Sequence, residues 1–210
     1  MGRPKTISDR NVLAIARDVF RKSGHAVSTR EIARAAGLSE AVLYQRFGSK
    51  DGLFFAAMIP YPPDIATLLD PRDPPGTGLG YVRGVVERMA AYFAEVLPLA
   101  IHVMTHPTFD LAAFVGSGPM AATHQLELEL AKRLRLLEQR GWIAKSSAGA
   151  AARLFTSLAH DWALRGILSG SDKAPDRRAL LSCIDVAWQG IAPQDAKTAA
   201  SASKRAVRHT

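Results

Sequence analysis

The chain has 210 residues, 48% hydrophobic and 22% charged, a content that excludes wholesale disorder and lets it bury a sizeable core. Its single cysteine, Cys183, excludes an intrachain disulfide, and no uninterrupted apolar run approaches the roughly 20 residues of a membrane span. The net charge of +8 is uneven: residues 1–50 carry ten Lys/Arg against four Asp/Glu, residues 51–192 thirteen against fourteen, and the last eighteen residues four against one.

A basic head on a nearly neutral body points to a polyanionic partner, because phosphates neutralised by Lys and Arg release condensed counterions. Met1-Gly2-Arg3-Pro4-Lys5-Thr6 formally fits a myristoylation pattern, yet its basic, proline-containing context suits a DNA-directed arm better. A first helix is expected from Ser8 as N-cap to Ser23, with Gly24 as the left-handed stop. Val12, Ile15, Ala16, Val19 and Phe20 form its apolar stripe. A second helix starts at Ser28, with Glu31 completing a capping box, buries Ile32, Ala33 and Ala36, and stops at Gly37. After a tight turn, Ser39 caps a third helix whose Leu43 and Phe47 point inward; Ser49 caps a fourth running to about Ile59.

Pro60, Pro62, Pro63, Pro71, Pro74 and Pro75, with glycines at 76, 78 and 80, then interrupt the helical pattern. The remainder predicts helices over about 81–97, 120–139, 147–168 and 176–191. Sustained period-two alternation is absent, so an all-α fold is expected. The division expected is a head over 1–59, a helical body over 60–192, and a basic tail over 193–210 with almost no large apolar side chains. Cys183, inside an apolar helical stretch, reads as a small core residue in a reducing, cytoplasmic setting.

The third helix separates anchors from readers. Leu43 and Phe47 hold it down, leaving Glu40, Ala41, Tyr44 and Gln45 on the opposite face. Gln45 suits a bidentate contact to adenine and Ala41 a thymine methyl, whereas Glu40 suits either the cytosine N4 amine or simple repulsion of phosphate. Tyr44, Arg46 and Lys50 suit the phosphate backbone, Lys50 also beginning a helix whose free amides favour anions. Arg30 reaches a phosphate or a guanine from the second helix, and the hydroxyl of Thr29 suits a phosphate. Together with Ser39 these residues make a helix-turn-helix that enters the DNA major groove.

Ser28-Thr29-Arg30-Glu31-Ile32-Ala33, then Gly37-Leu38-Ser39, Leu43-Tyr44-Gln45-Arg46-Phe47-Gly48-Ser49-Lys50 and Leu53-Phe54, resembles the tetracycline-repressor (TetR) family of bacterial transcriptional regulators. The resemblance covers about fifty residues. It implies phosphate contacts at Thr29, Tyr44 and Lys50, base contacts at Arg30, Glu40 and Ala41, and a homodimer on a near-palindromic double-stranded operator. Arg46 departs from the pattern, where His or Tyr is more usual.

Beyond residue 60 the resemblance is architectural. Two stripes suit association across a two-fold axis: Ala151, Leu154, Phe155, Leu158, Ala159 and Trp162, and Leu180, Ile184, Ala187, Trp188 and Ile191. Phe155, Leu158, Trp162, Ile184 and Trp188 are the expected dimer contacts, and the alanines at 148–152 permit close approach. Phe54, Met58, Tyr92, Phe93, Met104, Phe109 and Phe114 are candidate lining for a hydrophobic or aromatic effector, with His102, His106 or His124 as polar handles. Enzyme signals are weak. His102 and His106 lack a third metal ligand, His160-Asp161 lacks a nucleophile, and the glycines at 76, 78 and 80 follow prolines instead of a strand. No catalytic residue, metal or cofactor is expected. The rival to a ligand-released repressor is a helical binding protein whose basic head docks without sequence preference.

Overall fold

The structure, a computed structural model, describes residues 7–70, 78–116, 118–170 and 176–191. The arm at 1–6, the prolines at 71, 74 and 75 with Gly76, and the tail at 193–210 lie outside the described residues. Among the described residues the fold is all-α, with no strand. Chain contacts divide it into two compact units, one running up to Tyr61 and including Val96–Val115, the other formed by Pro62–Glu95 and the chain from Gly116 onward.

The first unit contains α1 (Asp9–Ser23), α2 (Thr29–Ala36), α3 (Glu40–Phe47) and α4 (Lys50–Met58). Each begins at a serine whose hydroxyl accepts an otherwise unpaired amide: Ser8 from Asn11, Ser28 from Glu31, Ser39 from Val42 and Ser49 from Gly52. Gly37 ends α2 in the left-handed conformation, φ 65°, and the amide of Leu38 returns to the carbonyl of Ala33 at 2.9 Å. Val12, Ala16 and Phe20 of α1, Ile32 and Ala33 of α2, Leu43 of α3, and Leu53, Phe54, Ala57 and Met58 of α4 form the core, with Phe20 edge-on to Phe54 at 5.0 Å.

That core has two members the chain supplies from far downstream, Leu99 and Val103. Both lie on α6 (Gly78–Met104), a 27-residue helix that passes through Pro98, where the sequence predicted a stop at Leu97. Proline inside a helix costs roughly 3 kcal/mol. Burying Leu99 and Val103, each worth roughly 1.5–3 kcal/mol, offsets it. A short helix, α7 (Leu111–Gly116), follows, begun by Asp110, which accepts from the amide of Ala112 at 2.8 Å.

In the second unit, α5 (Ile65–Leu69) is capped by Asp64, whose carboxylate takes both the amide and hydroxyl of Thr67; these bonds hold Asp64 below the usual carboxylate range. The first part of α6 lies in the same unit as α8 (Gly118–Gln139), α9 (Ala148–Leu168) and α10 (Arg177–Ile191), and its Phe93 meets His160 of α9. Gly78, read from sequence as a breaker, begins α6 instead, because a Cβ there would lie 2.7 Å from the ring of Trp188 and 3.1 Å from that of Trp142. Arg83 grips Asp185 with two bonds, 2.8 and 2.6 Å, linking α6 to α10. Tyr81 is buried, which pushes its phenol up, and donates to the carbonyl of Leu69 at 3.0 Å.

Helix α9 packs mainly on α8, and its buried face is Ala148, Ala151, Ala152, Phe155, Thr156, Ala159 and Ala163. The alanines therefore bring α9 close to its own neighbour. Phe155 and Ile184 are wholly enclosed, so these two expected dimer contacts belong to the core of this unit; Leu158, Trp162 and Trp188 are half-buried. Cys183, expected inside, is exposed. Helix α10 turns Leu180 and Ile184 inward, and Cys183 stays outside that buried pair.

Candidate nucleic-acid interface

Helices α2 and α3 meet through a polar relay. The Thr29 hydroxyl donates to Glu40 Oε2 at 2.7 Å and lies 3.2 Å from the Tyr44 hydroxyl. With its only proton on Glu40, Thr29 accepts from Tyr44, so the three side chains fix the angle between the two helices. Thr29 is buried, whereas Tyr44 is 45% exposed. The Thr29 hydroxyl, expected to meet a phosphate, is thus bonded within the head, and Glu40, expected to read a base, has one carboxylate oxygen engaged by it.

Ala41, Gln45 and Arg30 are exposed, Ser39 caps α3, and Lys50 opens α4 half-buried. Between the two helices lies an open concavity of about 500 Å³ lined by Ser28, Arg30, Glu31, Ala33, Arg34, Leu38, Ser39 and Glu40. Arg34 is absent from the sequence-derived set. Its spacing of four from Arg30 places both guanidinium groups on one helical face, a signal present in the sequence.

Arg46 behaves differently from the other expected contacts. Its Nη1 donates to the carbonyl of Ile7 at 2.8 Å and to Asp9 Oδ1 at 3.3 Å, with the side chain only 20% exposed. It is committed to the start of α1. Arg17 is likewise engaged, donating to the carbonyl of Ala57 at 2.7 Å with Tyr61 beneath its guanidinium.

Gly52 is a further residue the sequence reading missed. A Cβ at this position would collide with the carbonyl oxygen of Phe47, so glycine lets α3 close onto the first turn of α4. His106 braces the same turn. Its ring lies 4.5 Å from Phe54, 4.9 Å from Phe55 and 5.3 Å from His25. Nδ1 accepts the amide of Thr108 at 3.3 Å, and Nε2 lies 3.7 Å from Asp51. Burial pushes the imidazole below its ordinary range, with Asp51 opposing that shift and His25 and Lys50 adding to it.

His102 and His106 do not share a helix face, because α6 ends at Met104 and His106 turns into the head. The residues offered as effector lining also separate. Phe54 and Met58 are head core, Phe109 and Phe114 pack against that core, and Met104, 47% exposed, belongs to the same unit. Tyr92 and Phe93 belong to the other unit, where Phe93 meets His160 at 5.3 Å.

Residues 12–57 match the model for bacterial regulatory proteins of the tetR family. Comparison of the whole sequence with curated proteins gives no match. Among solved structures, the chain is similar to a protein of Mesorhizobium loti assigned to the TetR-family transcriptional regulators, at 21% identity and a TM-score of 0.65, covering 87% of this chain and 93% of that one. It is also similar to the TetR-family regulator PfmR of Thermus thermophilus, at 22% identity, TM-score 0.56, with 85% and 97% covered. A third is the ketosteroid transcriptional regulator KstR2 of Mycobacterium tuberculosis, at 16% identity, TM-score 0.56, with 90% and 98% covered. These likenesses are of fold. No helix among the described residues is long and apolar enough to cross a membrane.

Proposed function

From a chain whose residues 12–57 match the tetR family of bacterial regulatory proteins, we propose a homodimeric transcriptional repressor that binds a near-palindromic operator and leaves it when a hydrophobic ligand binds the body. The observation that carries this reading is the α2–α3 pair. Its relay of Thr29, Glu40 and Tyr44 sets a rigid angle, leaving Ala41 and Gln45 exposed on α3 and Arg30 and Arg34 on α2. Side chains so placed match what a major groove offers, hydrogen-bonding edges flanked by phosphates. Acting on operator DNA would place the protein at the nucleoid.

Association is assigned to the outward face of α9 and α10, where Leu154 is 46%, Leu168 72% and Val186 68% exposed, beside half-buried Leu158, Trp162 and Trp188. Two heads on one side of B-DNA need half-sites about 34–36 Å apart or a multiple of it. The effector is assigned to the second unit, near α9. There the buried Thr156 hydroxyl finds no hydrogen-bond partner among the described residues, and His160, one turn on, packs on Phe93. A buried orphan hydroxyl is costly, and a ligand oxygen or nitrogen would relieve it. KstR2, a neighbour in fold, is named for ketosteroids, which have this mix of apolar body and polar handle.

Genomic binding-site selection followed by footprinting tests the reading. The expected result is one discrete, two-fold-symmetric site, lost with Tyr44→Ala and altered in base preference by Gln45→Ala. Salt-sensitive binding with no preferred sequence would support the rival, a basic head without specificity.

A further inference from the structure

We propose that His106 is a pH-sensitive positioning residue of the DNA-binding head: neutral, it holds the first turn of α4, and Lys50 with it, against operator phosphate; protonated, it lets go. The proposal rests on the operator-binding reading above and adds a proton as a second regulator, so that acid releases the protein from DNA. His106 follows the end of α6, far along the chain from α4, yet both lie in one compact unit. Its side chain is only 5% exposed, enclosed by the rings of Phe54 and Phe55 on α4 and of His25 between α1 and α2. The use of its two nitrogens separates it from a merely packed histidine. Nδ1 accepts the amide of Thr108 at 3.3 Å, which requires that this nitrogen carry no proton. The proton of the neutral ring is therefore on Nε2, facing Asp51 Oδ1 at 3.7 Å. The Thr108 hydroxyl, 3.0 Å from Nδ1, donates to Asp51 Oδ2 at 3.4 Å. Asp51, in the first turn of α4 beside Lys50, is thus bracketed by the ring and by the residue that the ring holds.

A second proton has to enter at Nδ1, where it meets the Thr108 amide donor to donor. The Thr108 oxygen can accept it, but the amide then loses its acceptor. Charge sharpens the conflict. Burial against Phe54 and Phe55 disfavours the imidazolium; Asp51 favours it from a half-exposed position, and His25 and Lys50 disfavour it. Burial prevails, so the ring stays neutral in its pocket until the pH is below the ordinary imidazole value of about 6.5. Once charged, it gains water by turning out, which frees Asp51 and the Thr108 segment together. The sign of this effect is opposite to the ordinary one. Acid adds positive charge to a basic head and strengthens its hold on phosphates, whereas loss of the brace weakens it.

The test measures the Kd of the full chain for its selected operator at fixed salt between about pH 7.5 and 5, for wild type, His106→Gln and His25→Gln. Wild-type Kd should rise by about tenfold for each pH unit below the His106 midpoint, because the operator-bound form excludes one proton. Circular dichroism over the same range should show the helices intact. His106→Gln, neutral throughout and still able to accept the Thr108 amide, should lose the acid weakening relative to its own value at pH 7.5. His25→Gln removes a repelling charge and should move the wild-type midpoint to higher pH. By reciprocity, saturating operator should shift the His106 ring titration, followed by NMR, to lower pH. That titration and His25→Gln stay decisive if His106→Gln fails to fold. A wild-type affinity that is level or tighter in acid overturns the proposal, as does a His106 titration unmoved by operator. Helicity lost together with affinity also overturns it, by assigning the release to unfolding. A wild type with no discrete footprint at pH 7.5 brings down the operator reading and this proposal together; a footprint whose acid loss persists in His106→Gln brings down this proposal alone.

Discussion

At the scale of single residues, the head relies on small groups whose replacement has a predictable sign. Thr29→Val keeps the shape but removes the hydroxyl that joins Glu40 to Tyr44. It should cost about 1 kcal/mol in urea unfolding, while Thr29→Ser, which keeps the donor, should recover most of that. Equal midpoints for Val and wild type would show that the relay contributes nothing. At Gly52 the usual rule reverses. Glycine to alanine in a helix ordinarily gains about 0.5–1 kcal/mol, but here the new Cβ meets the Phe47 carbonyl, so Gly52→Ala should lower the melting temperature. His106 adds a pH dependence. Burial depresses its folded-state pKa, so the unfolded chain binds more protons in the acid range. Its contribution to stability is fully present above the ordinary imidazole value of about 6.5 and is lost as pH falls through the folded value. His106→Phe should flatten that acid limb in urea titrations taken below about pH 6.5; an unchanged limb would assign the dependence to other groups.

At the scale of elements, helix ends were legible where caps and periodicity act within a few residues. The four serine caps and Gly37 delimit α1 to α4 close to their expected bounds, because each signal lies beside the helix end it controls. Pro98 misled for the opposite reason. Its local cost is offset by Leu99 and Val103 burying against α1 and α4 residues some forty or more positions earlier, which no window around Pro98 contains. The same limit explains Phe155 and Leu154 on α9. They are neighbours in one apolar stretch, and only the packing of α9 on α8 decides that Phe155 is enclosed while Leu154 faces out. Within the site, Ala41 and Gln45 were legible because period 3.6 sets them opposite Leu43 and Phe47. Arg46 was not, since its partners Ile7 and Asp9 lie nearly forty residues away. Phe155→Ala should therefore behave as a core truncation, costing roughly 3–5 kcal/mol in denaturant unfolding.

At the scale of the whole molecule, that contrast on α9 separates association from folding. A two-fold interface presents every substituted residue twice, so a carboxylate placed in it meets its own copy as well as losing apolar burial. Leu154→Glu with Val186→Glu alters side chains that are 46% and 68% exposed, and the folded chain can tolerate both charges in water. Phe155→Glu, one position along from Leu154, places a charge where nothing is exposed and should unfold the body. The double variant is expected to sediment as a monomer at micromolar concentration with the helical content of the wild type by circular dichroism. Its melting temperature should lose the concentration dependence that a dimer has. Binding to a full operator should then fall by on the order of a hundredfold or more, because each head must bind its half-site without the other raising its effective concentration. Binding to an isolated half-site should change little, since Ala41, Gln45, Arg30 and Arg34 are untouched. A double variant that remains dimeric would move the interface off these two helices, whereas a wild type that is itself monomeric would remove the homodimer from the mechanism.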